Sequence, residues 1–195
     1  MNKLKELYIY TSKKGIKDTV SRIKTKYCHI TPFFLFLKNL DKPYSGITLD
    51  NCFKCVQGNL ELLNEMREKI NNLPREFYVD KTHGGKTFYL VYHKNEIAYI
   101  HWIFKKGEYS RFFDIQDEKT FEINYIIALP KFRGNRLQAK AINYTCNDLK
   151  QKGYKRVISA VSKGNILSIK GMKRAGLKEF KKVKSFYSFV KKTKV

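Results

Sequence analysis

Residues 121–138 read FEINYIIALPKFRGNRLQ and carry the strongest structural signal in this chain of 195 residues. The first part, Phe121 to Leu129, is rich in β-branched and aromatic residues and ends at Pro130, which predicts a buried strand. A short basic segment with one glycine follows. Apolar or small residues then recur at every fourth position, and Gly153 lies where a helix usually ends, so we predict a helix after the basic turn. The recurring positions are Leu137, Ala141, Thr145 and Leu149.

The basic turn has the chemistry of a phosphate-binding site. The first backbone N–H groups of a helix have no acceptor within the helix, and the helix dipole adds partial positive charge there. Arg133 and Arg136 add fixed positive charge immediately before the helix. A strand, a turn that contains glycine and a helix N-terminus, in this order, predict a cradle for the pyrophosphate of a cofactor.

The same turn resembles the coenzyme A loop of the GCN5-related N-acetyltransferase (GNAT) superfamily. The family pattern is (Gln/Arg)-x-x-Gly-x-(Gly/Ala) between a strand and a long helix, and residues 133–138 here read RGNRLQ. Arg133 matches the first position. Arg136 stands where the second glycine is usual, and Gln138 stands where a small residue is usual. Arg136 could obstruct the approach of a phosphate or bind it directly, and we favour direct binding.

A second segment, residues 165–177, resembles the other signature of the family. It reads NILSIKGMKRAGL against Asn-x-x-(Ala/Ser)-Ile-x-x-Tyr-x-Lys-x-Gly-Phe, and Met172 occupies the place of the usual tyrosine. A glycine and a predicted strand at 153–161 precede it. The two signatures together cover residues 120 to 190. The matching positions are Asn165, Ser168, Ile169, Arg174 (for Lys), Gly176 and Leu177 (for Phe).

The resemblance implies an α/β (α+β) protein with the GNAT fold, in which a mixed central sheet of about six to seven strands is splayed at the motif strand and flanked by helices. It implies one acyltransferase domain over residues 1–195, with the cofactor-binding half at 120–190 and a basic extension at 1–27. A chain of this length with 43% hydrophobic residues can build one core.

The rest of the chain gives an order of elements that agrees with this fold. A strand is predicted over 28–40, one or two helices over 47–72, a hairpin with strands 88–93 and 97–104, and a last strand over 180–190. Cys52 and Cys55 form a lone CxxC at the start of the predicted helix. Without a second pair of ligands we interpret them as ordinary reduced thiols, and no metal site is expected.

The resemblance also implies which residues hold acetyl-CoA, or another acyl-CoA, as cosubstrate. Backbone groups of Ile127, Ala128 and Leu129 would pair with the pantetheine arm. Asn165 and Ser168 would line the far side of the arm, although Asn165 can also simply cap its helix. The pyrophosphate would be held by Arg133, Gly134, Asn135, Arg136, Leu137 and Gln138.

Acyl transfer to an amine calls for a proton acceptor, and Glu122 is the first candidate. It is the only acidic residue between positions 119 and 147, and an ion pair with a lysine is the equally weighted alternative. His101 is the second candidate, although a lone histidine on a strand more often has a packing role. With Met172 in the tyrosine position, Tyr187 or solvent could protonate the leaving thiolate, or no acid is needed. We predict an N-acyltransferase that acts on a small-molecule primary amine, with an amino sugar as one option.

The net charge of +23 is unevenly distributed along the chain. Residues 1–30 carry +6, residues 31–130 are neutral, and residues 131–195 carry +17. Such a field attracts polyanions and anionic lipid surfaces. The alternative function is therefore a nucleic-acid-binding or membrane-surface-binding protein on a degenerate GNAT scaffold.

The N-terminal residues 13–27 place Ile16, Val20 and Ile23 on one side of a predicted basic helix. Such a helix packs on its own domain or lies on an anionic membrane. The N-terminus lacks the apolar core of a signal peptide. We therefore expect a cytoplasmic protein, with peripheral contact at the inner membrane surface as an option.

Overall fold

The computed structural model describes residue 11 and residues 15–17, 30–41, 48–186 and 190–195. The strands of this part are β1 (Ile30–Asn39), β2 (Phe53–Gln57), β3 (Thr87–His93), β4 (Glu96–Phe104), β5 (Phe113–Asp114), β6 (Thr120–Ala128), β7 (Arg156–Ser162), β8 (Lys178–Phe186) and β9 (Thr193–Lys194). Residues 11 and 15–17 are helical, and the longer helices are α1 (Leu60–Lys69), α2 (Val79–His83), α3 (Leu137–Gln151) and α4 (Ile166–Arg174). The 3₁₀ turns lie at Arg75–Tyr78 and Pro130–Phe132.

Seven strands form one mixed sheet in the order β2-β3-β4-β6-β7-β1-β8. All neighbours in it are antiparallel except β6 and β7, which are parallel. The short strands β5 and β9 form a separate parallel pair. The predicted fold class, a mixed sheet of six to seven strands with flanking helices, is therefore confirmed.

The first strand of the described residues, β1, lies inside the sheet between β7 and β8 and is antiparallel to both. Leu35 and Phe36 at its centre are fully buried and belong to two different apolar clusters. Because successive side chains of a strand point to opposite faces, β1 supplies core residues to both sides of the sheet. The sequence predicts this strand but not its place in the sheet.

The two faces of the sheet are covered by different elements. On the face called here the α3 face, α3 and α4 pack on alternate residues of the central strands, such as Tyr99 and Ile123. On the face called the α1 face, α1 and the 3₁₀ turn at Arg75–Tyr78 pack on the intervening residues, such as Trp102. The alternation predicted for β4 is confirmed, because Tyr99 and Trp102 belong to different clusters.

The predicted helix over residues 47–72 is wrong in its first half. Residues 53–57 form β2, an edge strand antiparallel to β3, and only Leu60–Lys69 is helical. Phe53 and Cys55 are buried while Lys54 is exposed, which is the period of two that a strand requires. Cys55 is thus a buried strand residue, and neither cysteine of the CxxC begins a helix.

The other predicted elements agree with the structure within a few residues. The hairpin is formed by β3 and β4, the motif strand by β6, and the long helix by α3, after which Gly153 has a φ of +88°. The last strand begins at Lys178. Of the predicted basic helix, only residues 15–17 are described, where the chain is helical and Ile16 is exposed. The remainder of that helix lies outside the described residues.

Candidate functional site

The sheet opens between β6 and β7, and this opening is the centre of the candidate site. The two strands pair only over Thr120–Glu122 of β6 and residues 156–158 of β7. The last polar contact between them is the Ser159 hydroxyl, which donates to the Ile123 carbonyl at 2.7 Å. Beyond that contact the rest of β6 faces an open slot.

A β-bulge turns β6 at the start of the slot. Between Ile100 and Trp102 of β4, the partner strand advances by three residues instead of two, from Ile127 to Asn124. Tyr125 within the bulge has a φ of +49°, a left-handed conformation that non-glycine residues rarely adopt. The Asn124 Oδ1 atom accepts a hydrogen bond from the Tyr125 N–H at 2.8 Å and supports this conformation.

The backbone groups of the three residues predicted to pair with the pantetheine arm point in different directions. The Leu129 N–H donates to the Ala98 carbonyl, and the Leu129 carbonyl accepts from the Phe132 N–H, both at 2.9 Å. Alternation along an antiparallel pair then directs the groups of Ile127 toward β4 and those of Ala128 to the other side. Of the three, Ala128 is the residue whose backbone faces away from β4, and its carbonyl accepts from the Arg133 Nε atom at 3.4 Å.

A cavity of about 340 Å³ fills the slot and reaches both faces of the sheet. Its side walls are the bulge of β6, from Asn124 to Ile126, and residues 159–162 of β7. Toward the α3 face it is lined by Asn165, Ser168 and Met172 of α4. The second signature of the sequence therefore lies at the cavity, as the resemblance implies.

On the α1 face, the cavity is lined by residues that the sequence did not indicate. Arg75 and Glu76 come from the 3₁₀ turn, and Arg111 and Phe112 come from the loop before β5. Because these residues lie far from both signatures and on irregular segments, no periodic pattern or motif marks them. They give this mouth of the cavity both cationic and anionic groups.

The turn predicted to be a phosphate cradle lies directly before α3. Gly134 and Arg136 both have positive φ, +90° and +56°, and Arg136 is the N-cap residue without a side-chain capping bond. Within the described chain, none of the backbone N–H groups from Gly134 to Gln138 has a backbone acceptor. Arg133 and Arg136 are exposed beside these groups. The turn can therefore offer several free N–H groups and two guanidinium groups to an anion.

Several side chains of the two signatures make hydrogen bonds within the protein. The Asn165 Oδ1 atom accepts from the Ser168 N–H at 3.1 Å, so Asn165 caps α4 as its alternative interpretation requires. The Gln138 side chain donates to Ser168, whereas the Asn135 side chain donates to the Phe132 carbonyl at 3.0 Å. Leu137 is buried in the core. The side chains of Asn135, Leu137 and Gln138 are therefore engaged within the protein, whereas the backbone N–H groups of this turn have no backbone acceptor.

Glu122 is completely buried on the α1 face of β6, next to the cavity wall. The Asn124 side-chain amide donates to its carboxylate at 2.9 Å, and Asn124 itself lines the cavity. Burial raises the pKa of Glu122 to about 7, against the opposing effects of the Ser110 hydroxyl, the Asn124 amide and the Lys192 charge. A carboxyl group with this pKa can accept or release a proton near neutral pH.

His101 is also completely buried, but on the α3 face. Its Nε2 lies 3.1 Å from the Thr145 hydroxyl of α3, and its ring stacks on Tyr89. Burial lowers the pKa of His101 to about 3, so the ring stays neutral. The structure does not bring His101 to the cavity. Tyr187, the third candidate, lies outside the described residues.

The mixed seven-stranded sheet with its flanking helices is shared with solved acetyltransferase structures of the GNAT family, and this chain has the GNAT fold. A GNAT-family acetyltransferase from Colwellia psychrerythraea superposes with a TM-score of 0.53 at 12% identity, over 82% of this chain and 57% of that chain. A GCN5-related N-acetyltransferase from Sphaerobacter thermophilus superposes with a TM-score of 0.56 at 8% identity, over 87% of this chain and 55% of that chain.

A third similar structure is a GCN5-related glucosamine N-acetyltransferase region of a fungal multi-domain GH3 β-N-acetylglucosaminidase. It superposes with a TM-score of 0.59 at 11% identity, over 86% of this chain and 22% of that chain. The chain thus spans little more than half the length of the first two structures. No family model matches the chain, and no curated protein sequence matches it.

The described residues contain no group of three or more His, Cys, Asp or Glu side chains that could hold a metal ion. None of the helices in this part of the chain is long and apolar enough to cross a membrane.

Proposed function

We propose that this chain is an acyl-CoA-dependent N-acyltransferase that transfers an acetyl group from acetyl-CoA to a primary amine of a small molecule. One observation carries the proposal: a cavity runs through the sheet and is lined by Ser168, which the Gln138 side chain contacts, and by Asn124, which donates to a buried carboxyl group whose pKa is about 7. The acetyltransferases that share the fold support the same reaction class. The domain would cover residues 1–195, with the cofactor-binding half at 120–190.

The described residues fit a bound acyl-CoA. The free N–H groups from Gly134 to Gln138, together with Arg133 and Arg136, would hold its phosphates by charge-assisted hydrogen bonds. The backbone of Ala128 faces away from β4 and would pair with the arm. When bound, acyl-CoA supplies the acyl group as an activated thioester.

Glu122 would act as the general base. It takes the proton that the amine nitrogen loses as that nitrogen bonds to the acyl carbon and the carbon–sulfur bond breaks. Since Asn124 stands between Glu122 and the cavity, the proton would pass through a water molecule held at the cavity wall. Tyr187 stays the proposed proton donor to the leaving thiolate, and Met172 cannot serve because a thioether carries no acidic proton.

The acceptor would enter from the α1 face. Glu76 provides a carboxylate for an ammonium group there, and Arg75 and Arg111 provide donors for hydroxyl or anionic groups. An amino sugar carries an amine and several hydroxyl groups, and a neighbouring structure is named for glucosamine acetylation. We therefore propose an amino sugar as the first acceptor to test.

The proposal is tested by titrating the protein with acetyl-CoA by calorimetry at about 0.3 M salt, which suppresses nonspecific charge attraction. Adenosine 3′,5′-bisphosphate and a short polyanion are the controls. Saturable one-to-one binding of acetyl-CoA that is tighter than both controls is expected, followed by thiol release when amines such as glucosamine are added. Binding no tighter than the controls contradicts the proposal.

A second candidate function is the binding of an anionic polymer or membrane surface. Between residues 163 and 186 Glu179 is the only acidic residue, and most of the exposed side chains on α4 and β8 are basic. Leu167 is 80% exposed beside them. These basic side chains are Lys170, Lys173, Arg174, Lys178, Lys181, Lys182 and Lys184.

A salt titration of polyanion binding, carried out with the wild type and with the double variant Arg133→Ala/Arg136→Ala, distinguishes the acyltransferase from the polyanion-binding protein. Binding of a polyanion that falls steeply with salt and persists in this variant favours the basic surface over the cradle. For a membrane, removal of residues 1–27 should abolish binding to vesicles that contain an anionic lipid. Unchanged vesicle binding would exclude an anchor in that segment.

A further inference from the structure

The side chain of Gln138 lies across the gap between the first turns of α3 and α4. Its Nε2 donates to the Ser168 carbonyl and to the Ser168 hydroxyl, both at 3.2 Å. A Cβ atom placed on Gly171 would lie 2.5 Å from the Gln138 Cδ and 2.6 Å from its Oε1. The carboxamide therefore packs directly on the backbone of α4, in space that only a glycine leaves open.

This gap lies between the two parts of the proposed cofactor site. The backbone N–H groups of the proposed cradle run from Gly134 to Gln138, and Ser168, which the Gln138 side chain contacts, lines the cavity. A ligand with its phosphates at the cradle and its thioester in the cavity would pass between α3 and α4 where Gln138 touches Ser168. A small side chain at position 138 would leave that passage open.

We propose that Gln138 is a side-chain latch that closes this passage in the ligand-free protein and rotates away when a pantetheine arm enters. The inference rests on the proposed acyl-CoA-dependent function. Gln138 is half-buried and its side chain has several rotatable bonds, so it can leave the gap without unfolding α3. Opening breaks two hydrogen bonds, and the affinity for the arm falls by the fraction of molecules that are closed.

The first test is the variant Gln138→Ala, which removes the latch and keeps a strong helix former. Its affinity for acetyl-CoA should rise by about 5- to 10-fold, since the loss of each neutral hydrogen bond changes an equilibrium by a few-fold. Its affinity for adenosine 3′,5′-bisphosphate should change much less, because that ligand lacks the arm and the variant keeps the backbone N–H group that position 138 contributes to the proposed cradle. Gln151→Ala, at the other end of α3, is the matched control and should change neither affinity.

The second test displaces the latch without altering position 138. In Gly171→Ala the new methyl group would overlap the Gln138 carboxamide, whose flexible end must move off Ser168. Acetyl-CoA should bind more tightly to this variant as well. The gain should vanish when Gly171→Ala is made in the Gln138→Ala background, because the methyl group then has nothing to displace.

A ligand-free measurement completes the experiment. In the NMR spectrum of the wild-type protein, the Gln138 side-chain amide should show nuclear Overhauser contacts to the Gly171 α protons, and these should disappear on saturation with acetyl-CoA. Absence of the contacts in the ligand-free protein overturns the latch.

The titrations separate the latch from the proposed function. Weaker acetyl-CoA binding by Gln138→Ala would show that Gln138 is a ligand contact and would overturn the latch. Equal binding by the wild type and Gln138→Ala would also overturn it while leaving the acyltransferase proposal intact. If no variant binds acetyl-CoA or the bisphosphate, the proposed function fails and the latch fails with it.

Discussion

The two faces of the sheet each bury an ionisable side chain, and the two side chains have opposite surroundings. His101 on β4 and Glu122 on β6 are both fully buried on neighbouring strands. His101 lies beneath α3, where it contacts Tyr89, Tyr99 and Thr145. Glu122 lies on the α1 face, one hydrogen bond away from the wall of the cavity.

The difference shows that burial by itself does not mark a functional group. Burial shifts both groups toward their neutral forms, lowering the pKa of His101 to about 3 and raising that of Glu122 to about 7. Only the second value lies near neutral pH, and only the second group is hydrogen-bonded to a residue that lines the cavity. We therefore assign a packing role to His101 and keep Glu122 as the proposed base.

The largest expected effect is on turnover in Glu122→Gln. The amide keeps the size of the side chain but cannot accept the proton, so turnover should fall by about 10²- to 10³-fold. The affinity for acetyl-CoA should not change. Both are measured by thiol release with an amine that the wild type acetylates and by calorimetry.

The pH profile is the control for this variant. Wild-type kcat/KM should rise by about tenfold per pH unit below a pKa near 7 and then level off, and this break should be missing in Glu122→Gln. Full activity of Glu122→Gln would show that Glu122 is not the base. In that case neither His101 nor Glu122 would have a catalytic role.

The next effect is on stability in His101→Ala. Removal of a fully buried ring leaves a cavity and an unpaired Thr145 hydroxyl, so the free energy of unfolding should fall by about 3 kcal/mol in a urea titration. Turnover of the folded variant should stay within about threefold of the wild type. A loss as large as that of Glu122→Gln would contradict the packing role.

The pH dependence of this effect has a defined sign. Burial holds the folded-state pKa of His101 well below its usual value of 6.5, so the unfolded chain binds a proton that the folded chain does not as the pH falls. The wild type should therefore lose stability below about pH 6.5, and His101→Ala should lose less.

An effect of similar size and opposite sign is expected for the stability of Glu122→Gln. Because the folded-state pKa of Glu122 is raised, ionisation of the buried carboxyl costs stability as the pH rises from about 4.5 through 7. The variant should match the wild type at pH 4 and should be more stable by roughly 3 kcal/mol above pH 8. Equal stability at both pH values would show that Glu122 is not held in a dry environment.

The smallest effect is expected for Thr145→Val, which removes the hydrogen-bond partner of His101 and keeps the shape of the side chain. The free energy of unfolding should fall by about 1 kcal/mol, with no change in turnover. Ser159→Ala, which removes the hydroxyl that bonds Ile123 at the start of the slot, is the matched comparison on β7. It should cost a similar amount of stability but also alter acetyl-CoA binding, because Ser159 lines the cavity.

The local patterns of the sequence predict most of the elements but not how they combine. The strand, turn and helix from 121 to 151 were predicted because a run of β-branched residues, a glycine turn and a four-residue period are all local signals. The strand at 53–57 was missed because its five residues adjoin a strong helical stripe, and two buried positions are too few to show a period.

The candidate site was predictable to the same extent. The two signatures indicate the turn before α3 and the residues Asn165 and Ser168, and the structure brings the last two to the cavity. The sequence could not indicate that Gln138 turns toward α4, since side-chain direction depends on the neighbouring helix. Arg111 and Glu76 reach the cavity from irregular segments, and only the tertiary structure brings them there.

The position of β1 inside the sheet has a consequence for how the protein is made. Phe36 of β1 pairs with Ser159, which lies 123 positions further along the chain. During synthesis β1 leaves the ribosome before β7 and β8 have been made, so it stays unpaired until they follow. Contacts of such long range also form slowly. The cofactor-binding half, for its part, cannot close its sheet without β1. We expect a separately expressed 120–190 segment to expose the unpaired edges of β7 and β8 and to aggregate.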